Sequence, residues 1–250
     1  MAQLDIADEL PELVHPQRRS TDRPGGAGGS IGGGANGGGS IGGGANGGGA
    51  KGDGANSKAR RPDGVFVGER FPDLLIATPR LHVRQLTVDD ADSVDTIFSD
   101  KLTRRWLPFP ADFGPIDGKS WCTEMAAERR AMGSGDHYGV IRREDEQLIG
   151  CVWTKRTDWP ARSTEVSFAV STDARGYGFA AEAIDGLAIE LIMRHEFQRI
   201  EMRVASGNTA SRRVAEKAGF SYEGLMRNAG HVYTGRTDLQ LWSLVAADLK

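Results

Sequence analysis

The sequence predicts an α/β fold, built as an α+β mixed sheet, that begins near residue 71 and follows a disordered glycine-rich N-terminal segment. Short runs that read as strands occur at 81–86, 137–142, 147–155 and 163–170, and the short connections between the last three are typical of an antiparallel meander. A long apolar stripe at helical spacing, residues 180–197, separates the last of these runs from a further strand at 199–204. Because a helix crosses between these two strands, we expect them to be parallel neighbours.

The N-terminal segment, residues 1–70, contains two nearly identical ten-residue repeats within a glycine-rich tract of about residues 25–54. Each repeat carries one isoleucine, which buries too little apolar surface to offset the entropy of ordering glycine. The tract is predicted to be a flexible tether. The short apolar stretch 1–14, interrupted by Pro11, is a candidate for docking on a partner. The chemistry is therefore expected within residues 71–250.

Composition narrows the classes of protein to which this chain could belong. A net charge of −3 and a pI of about 6.0 give no sign of nucleic-acid binding or membrane adsorption. The two cysteines, Cys122 and Cys151, are isolated and predicted to be structural thiols, and no metal-ligand spacing occurs. There is no basic leader and no apolar run long enough to span a bilayer, so a cytoplasmic location is expected.

The local signals also predict three further helices, one non-helical stretch and two final strands. Thr87 and Asp90 match a capping box that starts a helix through Phe98, and residues 120–132 form a second helix. The aromatic, proline-rich run 106–110 cannot be helical and is either a packed loop or the wall of a pocket. Residues 208–218 are predicted to form the last helix, with Gly219 just beyond its end. Final strands are expected from Phe220 onward and over 238–245.

The stretch 175–180, Arg-Gly-Tyr-Gly-Phe-Ala, lies between a strand and the long helix. Unpaired backbone N–H groups at the positive end of a helix hold a phosphate without a specific side chain. A dinucleotide-binding fold is an alternative, since Gly176, Gly178 and Ala181 satisfy G-x-G-x-x-A. Two features count against it: five residues separate Val170 from Gly176, and a meander precedes the turn. A Walker loop is excluded because no Gly-Lys-Ser/Thr occurs.

Three ordered blocks carry a family resemblance that covers roughly residue 71 to the C-terminus. Arg175, Gly178 and Ala180 match the Arg/Gln-x-x-Gly-x-Gly/Ala motif of the GCN5-related N-acetyltransferases (GNAT family). The run from Thr78 to Ala91 resembles the opening strand and helix of the RimJ/RimL branch, and the run from Asn208 to Phe220 resembles its last helix and following strand. The sequence is identified as a member of this family on these blocks.

The resemblance implies a site for acetyl-CoA as co-substrate and for no metal. Pantetheine would lie between two splayed strands and pair with the backbone of Phe168, Ala169 and Val170. The pyrophosphate would bind the backbone amides of the turn, and Asn208 would contact pantetheine or the adenylate arm, although an N-cap needs the same residue type. The implied residues of the turn are Arg175, Gly176, Tyr177, Gly178, Phe179 and Ala180.

The implied catalytic residues are Glu165, as a general base, and Ser211, as a donor to the departing sulfur. A solvated strand-end charge is the alternative for Glu165, and a solvent-facing helix serine is the alternative for Ser211. Many relatives place a tyrosine acid seven residues after the asparagine, where this chain has Ala215. Tyr177 and Tyr222 are weaker candidates for that role.

The function implied is transfer of an acetyl group from acetyl-CoA to a primary amine, either a protein N-terminus or lysine, or a small molecule. Trp106, Phe109 and the loop 227–236 are where acceptor selectivity is expected. The protein would act as a monomer or homodimer, with no nucleic-acid or membrane partner. Two alternatives stay open: a non-catalytic acyl-CoA-binding regulatory module tethered to a partner, and a scaffold whose functional part is the glycine repeat.

Overall fold

A computed structural model describes residues 70–108 and 114–249, and this part of the chain contains a mixed sheet of eight strands. The strand order is β1-β2-β3-β4-β5-β6-β8-β7. The predicted mixed-sheet α/β fold is confirmed; the predicted disordered segment 1–70 lies outside the described residues except for Arg70. The strands are β1 Leu75–Ala77, β2 Leu81–Gln85, β3 His137–Arg142, β4 Gln147–Asp158, β5 Ser163–Val170, β6 Arg199–Ala205, β7 Ser221–Val232 and β8 Gly235–Val245.

Six α-helices accompany the sheet in the described residues: α1 Ala91–Ser99, α2 Lys101–Trp106, α3 Gly118–Cys122, α4 Glu124–Met132, α5 Phe179–His195 and α6 Thr209–Lys217. The predicted capping box is confirmed, since the Thr87 N–H donates to the Asp90 carboxylate at 2.7 Å. The predicted helix 120–132 is broken at Thr123, which separates α3 from α4.

The prediction that Trp106 is non-helical is wrong. Trp106 is the last residue of α2, a helix whose first turn is capped by the Asp100 carboxylate, which accepts from the Thr103 N–H at 2.9 Å. A proline restricts chiefly the residue before it, so Pro108 constrains Leu107 and leaves Trp106 free to be helical. Phe109 and Pro110 lie outside the described residues.

The pairing of β5 with β6 is parallel, as predicted, but the ladder is only three residues long. It runs from the Ser163–Arg199 pair to the Glu165–Glu201 pair. By contrast, β4 pairs with β5 up to Val170, and β6 pairs with β8 along its whole length. The second half of β5 therefore has an edge that faces β6 without pairing to it.

The two faces of the sheet carry different helices. The larger core cluster joins α5 to β5 and β6 through residues such as Ile184, Val166 and Met202. A second cluster joins α1 and α3 to β4 and β5 through residues that include Phe98 and Trp153. Since side chains alternate along a strand, Glu165 and Ser167 point to the α1–α4 face with Trp153 and Ala169, and the residues between them point to α5.

None of the described helices combines the length and the apolar character that a membrane-spanning helix requires.

Candidate active site

A cavity of about 500 Å³ opens where β5 and β6 diverge. This volume is in the range of small-molecule and cofactor sites. Nine of the ten predicted cofactor-binding residues line it: Phe168, Ala169, Val170, Arg175, Gly176, Gly178, Phe179, Ala180 and Asn208. Tyr177, the tenth, points outward and is 67% exposed. Both predicted catalytic residues, Glu165 and Ser211, also line the cavity.

The free edge of β5 presents backbone groups to the cavity at every second residue. The Ser171 N–H donates to the Ile149 carbonyl at 2.9 Å, which fixes the phase of the antiparallel ladder between β4 and β5. By the alternation of such a ladder, Ala169 bonds to β4, whereas Phe168 and Val170 direct their N–H and C=O groups toward β6. Ala169 therefore contributes a wall of the cavity and not a free backbone group.

The glycine turn carries the chain from β5 into α5. Gly176 and Gly178 have φ angles of 88° and 85°, in the left-handed region that glycine enters without strain. Gly178 is the N-cap of the 17-residue α5. The Glu182 N–H is bonded to the Gly178 carbonyl, so the first N–H groups of the helix precede its hydrogen-bonded turns and lie at its positive end.

The side chain of Arg175 faces α2. Its Nη2 donates to Asp100 Oδ2 at 2.5 Å and to Thr103 Oγ1 at 3.0 Å, and its Nε donates to the Val170 carbonyl at 3.3 Å. The hydrogen bond from Arg175 lowers the pKa of Asp100 to about 2. Sequence reasoning did not find Asp100, because nothing local links it to a residue 75 positions away.

Arg80 also contacts the glycine turn. Its Nε donates to Glu182 Oε2 at 2.7 Å, and its Nη1 donates to the Tyr177 carbonyl at 3.1 Å. The guanidinium also lies over the Phe179 ring, 4.5 Å from the centroid. Arg80 belongs to the block that carried the family resemblance, but its contact with the turn was not predicted.

Asn208 caps α6. Its Oδ1 accepts from the Ser211 N–H at 3.1 Å, and its Nδ2 makes no hydrogen bond within the described residues. The capping role is thus present, and the amino group remains available toward the cavity. Ala215, at the position where a tyrosine was expected in relatives, is fully buried in the larger core cluster and does not line the cavity.

Glu165 lines the cavity at the point where the pairing of β5 and β6 stops. It is 2% exposed, so the interpretation as a solvated strand-end charge is wrong. Three cations contact its carboxylate: Lys155 Nζ at 3.2 Å, Arg156 Nη1 at 2.6 Å and Arg203 Nε at 3.4 Å. Burial alone would raise the pKa of Glu165, but these cations outweigh burial and leave the pKa lowered.

A bulge in β4 brings two consecutive residues to this carboxylate. The register between β4 and β5 shifts between Lys155 and Asp158, and Arg156 has a φ of 51°. In a regular strand Lys155 and Arg156 would point to opposite faces of the sheet, whereas the bulge directs both toward Glu165. A non-glycine residue in the left-handed region of the backbone angles costs on the order of 1 kcal/mol.

The far wall of the cavity comes from the end of α2 and from the hairpin of β7 and β8. Trp106 lines the cavity, and Phe109 lies outside the described residues. The stretch 227–236, predicted to be a loop, is mostly strand, because β7 continues to Val232 and β8 begins at Gly235. Its residues that line the cavity are Ala229, Gly230, His231, Val232 and Arg236.

The remaining candidates lie away from the cavity. Burial raises the pKa of the Cys122 thiol to about 12 and that of the Cys151 thiol still further, and both cysteines are free and buried. They behave as the structural thiols that the sequence predicted. Tyr222 is 53% exposed and packs on Trp242.

The family model for the acetyltransferase (GNAT) domain matches residues 80–221, which is more than half of the chain. This chain belongs to the GNAT acetyltransferase family. The match begins at Arg80, includes the glycine turn and ends just after α6, so all three blocks of the resemblance lie mostly or wholly inside it. The GNAT assignment made from the sequence is confirmed.

Relatives of this GNAT domain match between 68% and 71% of the chain. The chain is 27% identical over 173 residues to the uncharacterized N-acetyltransferase YoaA of Bacillus subtilis (strain 168), covering 68% of this chain and 96% of that protein. Among solved structures, the ribosomal-protein-S5-alanine acetyltransferase of Vibrio fischeri is similar with a TM-score of 0.60 at 20% identity, over 71% of this chain and all of that one. RimJ of Mycobacterium smegmatis, solved in complex with CoA-disulfide, is similar with a TM-score of 0.59 at 22% identity, over 68% of this chain and 83% of that one.

These comparisons show a shared GNAT fold. Structural neighbours include RimJ/RimL-type acetyltransferases, as the resemblance implied.

Proposed function

We propose that residues 71–250 form an acetyl-CoA-dependent N-acetyltransferase that transfers the acetyl group to a primary amine. The observation that carries this proposal is the free edge of β5, which meets the positive end of α5 in one cavity. One wall offers extended backbone pairing, and the adjoining turn offers N–H groups to an anion. A ligand that joins two amides to a pyrophosphate, as the pantetheine arm of CoA does, matches both.

In this proposal the backbone groups of Phe168 and Val170 pair with the pantetheine amides, and Ala169 supports the arm as part of the wall. The turn residues, Arg175 to Ala180, offer their amides to the pyrophosphate, while the contacts of Arg175 and Arg80 hold the turn in shape. Asn208 contributes Nδ2 from the opposite wall. The neighbouring M. smegmatis RimJ, solved with CoA-disulfide, supports the same class of ligand.

The reaction is direct attack of a neutral amine on the thioester carbonyl. It requires loss of a proton from the amine, a donor to the tetrahedral oxyanion, and a donor to the departing sulfur. We assign the oxyanion donor to a backbone N–H of β5 beside the cavity. Ser211, whose Oγ has no hydrogen-bond partner among the described residues, is assigned to the sulfur.

Glu165 meets one requirement of a general base and lacks another. Its lowered pKa keeps it ionised at neutral pH, but the same three cations make its carboxylate a weak proton acceptor. We therefore propose that the amine loses its proton to solvent before it attacks, and that Glu165 holds the three cations where the pairing of β5 and β6 stops. The role of Glu165 as general base stays a prediction, and the pH dependence of the rate tests it.

The acceptor is proposed to enter on the α1–α4 face, between Trp106 and the β7–β8 hairpin. The neighbouring ribosomal-protein-S5-alanine acetyltransferase makes a protein α-amine a natural first candidate. Selectivity would then reside in Trp106 and in the hairpin residues that line the cavity.

The experiment that tests the proposal follows free thiol release from acetyl-CoA with a panel of peptides, amino acids and polyamines. Release that depends on an acceptor supports the transferase. Binding of acetyl-CoA without release from any acceptor would instead support a non-catalytic acyl-CoA-binding module. Removal of residues 1–58 tests the scaffold role of the glycine repeat. Transferase activity should survive that deletion if the repeat is only a tether.

A further inference from the structure

The wall of the cavity includes one histidine, His231, among the residues that the structure describes. The other described histidines, His82, His137 and His195, do not line it, and the stretch 109–113, which follows the cavity-lining Pro108, contains none. Imidazole is the side chain whose ordinary pKa lies closest to neutrality, and it is the commonest proton acceptor in enzymes. His231 therefore has the chemistry that proton transfer in this cavity requires.

The β7–β8 hairpin carries His231 to the end of β6. β8 pairs with β6 as far as the Ala205–Leu239 pair, so the part of the hairpin before Leu239 extends past the carboxyl end of β6. The same end of β6 leads through the turn 206–208 into α6, where Ser211 lies. His231 and Ser211 thus line the same part of the cavity, and Ser211 is the residue assigned to the departing sulfur.

A bulge in β7 fixes the backbone just before His231. The register between β7 and β8 shifts between residues 226 and 230, and Asn228 has a φ of 53°, in the left-handed region. The Asn228 N–H donates to Asp238 Oδ1 at 2.7 Å, and Arg236 Nε donates to Asn228 Oδ1 at 3.1 Å. Bulges redirect side chains and are frequent beside active sites, and local strain persists where the surrounding structure holds it.

The two ring nitrogens of His231 have different surroundings. Nδ1 is buried and has no hydrogen-bond partner among the described residues, so a ligand in the cavity reaches the ring through Nε2. The tautomer of a neutral imidazole is set by the hydrogen bond that its other nitrogen makes. Since no described residue makes such a bond to Nδ1, both tautomers are accessible, and one of them presents a lone pair at Nε2.

The proposed reaction contains two proton losses from the acceptor nitrogen. The ammonium group first gives a proton to solvent, and the neutral amine then forms the N–C bond while the carbonyl electrons pass to oxygen. The nitrogen of this tetrahedral intermediate is positively charged. Until it loses a second proton, the intermediate can expel the amine and return to the reactants. Glu165 is a weak acceptor for that proton because three cations contact its carboxylate.

We infer that His231 is the base that takes this second proton, through Nε2. The inference rests on the proposed acetyl transfer and adds a catalytic residue to it. The N–H bond breaks, its electron pair stays on nitrogen, and the imidazole becomes imidazolium. Collapse of the intermediate then restores the carbonyl and breaks the C–S bond. Sulfur leaves as a thiolate that accepts the hydrogen bond from Ser211, and the imidazolium gives its proton to solvent.

Two substitutions test this role, with kcat and KM measured by thiol release for an acceptor that the unmodified protein acetylates. His231→Gln keeps a polar side chain that cannot accept a proton near neutral pH, and His231→Ala removes the ring. We expect each to lower kcat by about 100-fold, with KM for acetyl-CoA unchanged. His82→Ala is the matched control, because His82 lies on β2 and does not line the cavity, and its kcat should be unchanged. A melting temperature for each variant checks that it folds.

Added imidazole separates proton transfer from support of the structure. In His231→Ala the side chain that lined the cavity is gone, and free imidazole should restore kcat in proportion to its concentration. Methylimidazoles of higher pKa should restore it further at equal concentrations of the free base, because general-base catalysis follows Brønsted behaviour. A side chain that only packs, or only donates a hydrogen bond, gives no such dependence on pKa.

The outcomes separate the inference from the proposed function. A kcat for His231→Gln close to that of the unmodified protein overturns the inference and leaves acetyl transfer intact. The same conclusion follows if no imidazole restores His231→Ala, or if imidazoles of different pKa restore it equally. No thiol release by the unmodified protein with any acceptor, while acetyl-CoA binds, overturns the proposed function and the inference together.

Discussion

The guanidinium of Arg175 lies 2.5 Å from the carboxylate of Asp100, so the glycine turn is tied to α2 across 75 residues of chain. The same carboxylate caps α2 by accepting from the Thr103 N–H. One side chain thus fixes both the start of α2, on the face where the acceptor is proposed to enter, and the turn proposed to hold the pyrophosphate. We therefore expect the shape of the cavity to depend on this contact.

Asp100→Asn tests the contact, because asparagine keeps an oxygen for the cap and loses the charge. We expect a loss of about 1 kcal/mol in the free energy of unfolding and a rise of roughly 3- to 10-fold in the Kd for acetyl-CoA. The folded pKa of Asp100, about 2, is below the ordinary value of 3.8, so its contribution is complete above about pH 4 and is lost as the pH falls toward 2. Urea unfolding and calorimetric titration measure these effects, and an unchanged Kd would show that the turn keeps its shape without Asp100.

Two substitutions separate the cap made by Asn208 from its proposed contact with CoA. Asn208→Asp keeps Oδ1 as the acceptor for the Ser211 N–H and removes the Nδ2 donor, whereas Asn208→Ala removes both. We expect the alanine variant to lose about 1 kcal/mol of stability and the aspartate variant to lose almost none. Both should bind acetyl-CoA more weakly. If the aspartate variant binds with normal affinity, Asn208 is only a helix cap.

The pH dependence of kcat/KM decides the role of Glu165. If solvent deprotonates the amine, kcat/KM rises with pH up to the pKa of the acceptor, in both the unmodified protein and Glu165→Gln. The variant should be less stable by about 3 kcal/mol, because three cations lose their shared anion. Thermal unfolding gives the temperature at which both proteins remain folded for the assay. A fall of more than about 100-fold in kcat at every pH would assign the base to Glu165 after all.

A buried histidine makes stability depend on pH. His137 is stacked on Trp121 with ring centroids 3.9 Å apart, and its Nδ1–H donates to the Trp121 carbonyl. Burial lowers its pKa to about 3, below the ordinary value of 6.5, so the unfolded chain binds a proton that the folded one does not. Stability is therefore complete above about pH 6.5 and falls between there and pH 3, by about 1.4 kcal/mol per pH unit.

His137→Phe removes this titration and keeps an aromatic ring to stack on Trp121. Urea unfolding at pH 7, 6 and 5 should give a slope for the unmodified protein that is steeper than that of the variant by about one proton. Equal slopes would mean that His137 accepts a proton in the folded protein.

The sequence predicted the strands best, and for a physical reason. The bounds of β3 and β5 are those expected, because alternation and turn residues at both ends are local signals. The parallel pairing of β5 and β6 followed from the helix that connects them. α2 was missed because Asp100 alone separates it from α1, and the proline that follows two residues after Trp106 suggested a loop.

At the candidate site, the residues of the turn could be found from a motif, whereas the partners that hold them could not. Asp100 and Arg80 reach the turn from distant parts of the chain, and no local pattern connects them to it. Glu165 was judged by its position at the start of a strand. Two of its three cations lie in β4, at a bulge, and the third lies in β6. No local pattern in the sequence predicted that bulge.

The most direct test of the account is the affinity of Gly178→Glu for acetyl-CoA, measured by calorimetric titration beside Gly219→Glu. Both glycines have nearly the same φ, 85° and 81°, and a Cβ added at either meets its nearest atom at 3.7 or 3.6 Å, so strain and added charge are matched. Only Gly178 lines the cavity. We predict that Gly178→Glu abolishes measurable binding, because a carboxylate takes the place of the pyrophosphate at the end of α5, while Gly219→Glu binds normally. Normal affinity in a folded Gly178→Glu protein would contradict the assignment of the turn to the pyrophosphate.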